Sequence, residues 1–166
     1  MELKLKIESN KINFTLNNYI YDIVKNYHME LKDILQRIEY LILDLDIRYR
    51  ETNPELKEIR VLFSQFRSIL IRHLINEEAL VFPAIIEIEK NFIENKKEKV
   101  SNINKILNSR INWEHEEMRL YLDNILSMIE ESRIKNLQNK NHDEIFFLFK
   151  KIKDNLETHW KIEDNN

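Results

Sequence analysis

The chain has 166 residues, 43% of them hydrophobic and 33% charged, with a formal net charge of −3 and a pI near 6. That is the size of one ordinary domain, and nothing in it is basic enough to mark a nucleic-acid-binding surface. It has no cysteine, no glycine and two prolines, which excludes disulfides, thiolate nucleophiles and cysteine-held metals and disfavours tight β-hairpins, whose turns need positive φ.

The opening MELKLKIESN lacks the apolar core of a secretory signal, and no apolar run approaches the roughly 18 residues of a membrane span. The expectation is a cytoplasmic protein without a membrane segment. Residues 1–13 read as an N-terminal arm and residues 14–166 as one helical domain. A first amphipathic segment runs from Phe14 to Tyr49, with Ile20, Val24, Tyr27, Leu31, Leu35, Ile38, Ile42 and Leu45 at spacings of three and four. RETNPE (50–55) interrupts it, where Thr52 or Asn53 can cap the next helix and Pro54 suits its first turn. The second segment runs to about Phe92 with Ile59, Leu62, Phe66, Leu70 and Leu74 inward, Val81 near the same face, and Pro83 predicting a kink or an early end. ENKKEKV (94–100) reads as a solvated loop. The third segment spans about Lys97 to Arg133. The polar stretch KNLQNKNHDE (135–144) follows, and the fourth segment starts near Asp143. Four amphipathic helices joined by short polar loops predict an all-α, up-down-up-down four-helix bundle.

His28, His73, His115 and His159 fall one to a segment, separated by 45, 42 and 44 positions. Measured from the intervening loops, paired histidines differ in height by no more than about 3 Å at 1.5 Å rise per residue, so the four imidazoles should share one layer. Each also lies on its segment's apolar stripe. The fifth, His142, falls in the polar stretch and reads as a surface residue. Glu77 and Glu163 stand four residues after His73 and His159, on the same helix face. Buried carboxylates are costly unless paired or bound to a cation, and no Lys or Arg shares these stripes. A pair of metal ions removes the conflict, because carboxylates bridge ions roughly 3.5–4 Å apart and imidazoles complete their shells. Nitrogen and oxygen ligation without sulfur suits Fe, Mn or Zn. Trp113 and Trp160, each beside a proposed ligand, read as packing residues, and Glu114, Glu116 and Glu117 as largely solvated.

The motifs resemble a known family. HLINEEALVFPAI is similar to the H-x-x-x-E-E-x-x-x-F-P signature of hemerythrin-like cation-binding domains, and WEHEEMRLYL, HWKIED and NYHMEL resemble three further motifs of that family. The nearest resemblance is to the di-iron proteins of iron–sulfur cluster repair, a stress-response group. It implies two iron ions in a non-haem centre, with His28, His73, His115 and His159 as terminal ligands and Glu77 and Glu163 as bridging carboxylates. Glu114 matches a family acid lining a polar path to the metals, a candidate proton or ion relay. Arg119 stands four after His115, where oxygen-carrying hemerythrins have a further histidine. Repair proteins commonly add a cysteine-containing N-terminal domain, which this sequence lacks. They also continue past the last ligand with an apolar turn, where this chain reads KIEDNN, so a mobile Glu163 is expected.

Two activities follow as expectations: NO reduction or binding, or iron donation to damaged clusters, in nitrosative or oxidative stress; and O₂ binding or sensing without turnover. Expected partners are a small diatomic ligand, NO or O₂, and iron–sulfur cluster proteins. Neither nucleic acid nor membrane is expected. A metal-free bundle acting through helix partners is the competing reading.

Overall fold

The first helix, α1 (17–49), forms where Leu31, Ile34, Leu35, Ile38, Leu41, Ile42 and Leu45 recur at helical spacing and bury almost completely. The computed structural model describes residues 17–94, 102–134 and 140–164, with side chains over 17–94, 113–131 and 140–161. The arm expected at 1–13 and the loop at 94–100, apart from Glu94, lie outside the described residues, which contain helices and turns and no strand.

Helix α2 (55–93) follows a short turn. Its first part, Glu55–Asn76, buries Leu56, Ile59, Phe63, Phe66, Ile69, Leu70 and Leu74. Pro54 occupies the N-cap, as its fixed φ allows. Thr52 and Asn53 do not cap α2 with their side chains, as the sequence suggests. Both turn back and donate to the carbonyl of Tyr49, at 3.1 and 3.4 Å, closing the end of α1, while the carbonyl of Asn53 accepts from Leu56 N–H at 3.1 Å.

Helices α3 (Asn102–Ile134) and α4 (Lys140–Asp164) complete the fold. The expected fourth start near Asp143 moves to Lys140. That shift places His142 one turn before Ile145 on the stripe continued by Phe149, Ile152, Leu156 and His159. His142 is therefore buried, not on the surface as the polar composition around it suggests. Each helix packs on two neighbours, α1 on α2 and α4, and α3 on α2 and α4, around one apolar core in which Phe63 meets Phe149 edge-on at 5.9 Å.

Polar ties follow the same pairs. Arg60 meets Asp46 at 2.7 Å and Arg67 meets Glu39 at 3.7 Å between α2 and α1. Between α1 and α4, Asn155 donates to Glu30, Arg37 takes both oxygens of Glu144, and Asn141 donates to Asp44. No described helix is long and apolar enough to cross a membrane.

Both α1 and α2 carry one wide π-helical turn. In α1 it spans Val24–His28, closed by Met29 N–H on the Val24 carbonyl. In α2 it spans Glu77–Val81, closed by Phe82 N–H on the Glu77 carbonyl. A π turn inserts one residue into the helical repeat, so the buried stripe slips by one position. Ile23 is buried and Val24 only half-buried; Phe82 is buried and Val81 only half-buried. The second turn lies immediately before Pro83, which has no N–H to contribute. The helix does not end there but continues to Ile93.

Candidate metal centre

The four helices bring His28, His73, His115, His159 and Glu77 together in the core, all nearly inaccessible to solvent. They fall into two groups, His28–Glu77–His159 and His73–Glu77–His115, each with ligand atoms mutually within 4.8 Å. Glu77 belongs to both. Its Oε2 lies 3.3 Å from His28 Nε2 and its Oε1 lies 3.0 Å from His73 Nε2. The Nε2 atoms of His28 and His159 are 3.4 Å apart, and those of His73 and His115 are 3.3 Å apart. Of the six ligand candidates read from the sequence, five converge. The side chain of Glu163 lies outside the described residues.

The protonation pattern follows from the outer nitrogens. His28 Nδ1 donates to Glu78 Oε1 at 2.9 Å and His73 Nδ1 donates to Glu114 Oε2 at 3.2 Å. A carboxylate can only accept, so both Nδ1 atoms carry protons, and the Nε2 atoms of the same rings face Glu77. Burial pushes the His115 imidazole down to about 3, with the neighbouring His73 adding to the effect, so His115 is neutral at pH 7. Burial alone would push the Glu77 carboxyl up, but the contacts from His28 and His73 outweigh it and hold the group well below the usual carboxylate range. An ionised carboxylate and four imidazoles thus face one another in an apolar core.

Carboxylate oxygens and imidazole nitrogens gathered in this way are the donor types that bind a transition-metal cation. Glu77 Oε2 accepts no hydrogen bond from any described residue despite its burial. Ligands about 2.0–2.2 Å from a common ion stand about 3.0 Å apart at right angles and about 3.4 Å apart in a tetrahedron, the range spanned by the contacts above. The residues present therefore fit a metal ion in each group, with Glu77 shared.

Aromatic rings wall the centre. Phe82, brought inward by the π turn, stacks on His28 at 5.8 Å; Tyr27 stacks on His159 at 5.6 Å; Trp160 stacks on His115 at 4.6 Å. The Arg119 guanidinium lies 4.7 Å above the Trp160 ring. Trp160 is thus a packing residue, as expected, whereas Trp113 is 61% exposed and its expected packing role is not observed. Glu114, expected to be mainly solvated or a relay, is buried against His73, with Arg72 Nε 3.6 Å from its other oxygen.

Glu78 is the functional residue that sequence reasoning missed. It accepts from His28 and from Lys32, each at 2.9 Å. Burial pushes its carboxyl up, and the Lys32 and His28 contacts bring it below the usual range. The consecutive glutamates 77 and 78 were a visible signal, but an ordinary helix sends neighbours about 100° apart, so the second reads as solvent-facing. No family model, no curated protein and no solved structure matches this chain.

Proposed function

We propose that the chain is a hemerythrin-like, non-haem di-iron protein of the iron–sulfur cluster repair type, acting in the cytoplasm under nitrosative or oxidative stress. The observation that carries this reading is one buried carboxylate, Glu77, shared by two histidine pairs drawn from four helices. The up-down-up-down arrangement is supported by pairs whose numbers rise in one helix as they fall in the next: Glu30 with Asn155, Arg37 with Glu144 and Asp44 with Asn141, and Glu39 with Arg67 and Asp46 with Arg60.

His28 and His159 would hold one iron, His73 and His115 the other, with Glu77 bridging and Glu163 as the second bridging carboxylate. The bound irons would supply redox-active positions open to NO or O₂, or would be the cargo delivered to damaged clusters. The chain's own groups bind, orient and exclude. Glu114 would hold the Nδ1 proton of His73, so that Nε2 can turn to an ion. Phe82, Tyr27 and Trp160 keep water away from the imidazoles. Arg119, laid over Trp160, holds that indole in place.

The test is a visible spectrum of the reduced protein, taken anaerobically, in air and with NO. Consumption of NO with product formation, or iron transfer to an apo-cluster acceptor, is the expected result. A stable, reversible oxygenated adduct instead supports the second reading, an O₂-binding or sensing module, which the complete burial of the histidines favours. Spectra with no metal band in any state contradict both.

A further inference from the structure

We infer that Glu78, braced by Lys32, positions His28 in one half of the centre as Glu114 positions His73 in the other, so that the two halves can be weakened separately. The inference rests on the proposed reading that each half holds an ion.

The two contacts are alike in chemistry. In each, a carboxylate takes the Nδ1 proton of a histidine whose Nε2 points at Glu77. Fixing the outer proton fixes both the tautomer and the ring direction of a metal-binding imidazole. The two contacts differ in their surroundings. Lys32 stands one turn after His28 on α1, and its Nζ and His28 Nδ1 clamp the same oxygen of Glu78. Glu78 retains 32% of its side-chain exposure, whereas Glu114 retains 2%. The π turn that starts at Glu77 explains how neighbouring residues serve two purposes. Its wider backbone lets Glu77 enter the core while Glu78 reaches across to the outer edge of the same histidine on α1.

The two supports lie on different sides of the centre and share no residue. Glu78 belongs to the His28–His159 half and Glu114 to the His73–His115 half. A loss at one should therefore leave the other half intact, which a general loosening of the bundle would not do.

The experiment is an anaerobic Fe(II) titration of the whole chain in competition with a chromophoric chelator. The wild type is expected to take up two equivalents. Glu78→Ala should weaken one of them by about 10- to 100-fold, the range for lost metal-supporting partners, and leave the other unmoved. Glu78→Gln, whose amide oxygen still accepts the Nδ1 proton, should recover much of the loss. Glu114→Ala should weaken one equivalent, and the Glu78→Ala/Glu114→Ala double variant both. Chelator-treated variants that melt with the wild type show that the bundle is intact. Two equivalents unmoved in Glu78→Ala, or a double variant with one equivalent still tight, overturn the inference alone. A wild type that takes up no Fe(II) overturns the di-iron reading beneath it.

Discussion

Glu77 is the residue on which the centre turns, because each of its oxygens faces a different histidine. Removing one histidine should disturb one group; removing Glu77 disturbs both. Glu77→Ala is therefore expected to lose both ions in metal analysis, whereas His115→Ala keeps one. His115 also gives a pH dependence. Its imidazole, pushed down to about 3 by burial, has an ordinary value near 6.5 in the unfolded chain. Between those values the unfolded state binds the extra proton, so stability is full above about 6.5 and falls as the pH drops toward 3. Glu77 acts in the same sense lower down. Its carboxyl is depressed in the fold, so its contribution is present above about 4.5 and fades below. Urea unfolding of chelator-treated protein should show a lower midpoint at pH 5 than at pH 7.5; an unchanged or higher midpoint contradicts the neutral assignment of His115.

At the scale of the helix, much was legible. The apolar stripes from Leu31 to Leu45 and from Ile59 to Leu74 follow the sequence pattern, except that Phe63 is buried where Leu62, expected inward, is half-buried. The shared height of four histidines followed from loop-to-loop counting alone, because a helix converts residue number into length. The π turns were not legible. One inserted residue changes the facing of a short stretch by about 100°, and a period fitted over a whole helix averages it away. Val24 and Val81 were accordingly expected where Ile23 and Phe82 stand, and Glu78 was passed over. His142 was misplaced for a different reason: a polar run looks like a loop until its helix is seen to begin at Lys140. The stripe itself supports a prediction. Phe149 is fully buried and meets Phe63 edge-on, so Phe149→Ala should cost about 3–5 kcal/mol, read as a lower denaturation midpoint. A cost under about 1 kcal/mol contradicts the packing described.

For the whole molecule, the centre joins all four helices, so metal and fold are linked. An ion bound only by the native state at 100 times its dissociation constant adds about 2.7 kcal/mol, about 5–10 °C in melting midpoint for a chain of this size. Chelation should lower the melting midpoint of the wild type by that order and leave Glu77→Ala nearly unchanged, since that variant is expected to hold no ion. The surface ion pairs add little by comparison, because exposed pairs are worth under about 1 kcal/mol each. The most direct test is iron content per chain, measured on wild type and Glu77→Ala purified without oxygen from iron-replete cells. The expected result is two irons in the wild type and none in the variant; metal-free wild type, or a variant that keeps its iron, contradicts a centre built on one shared carboxylate.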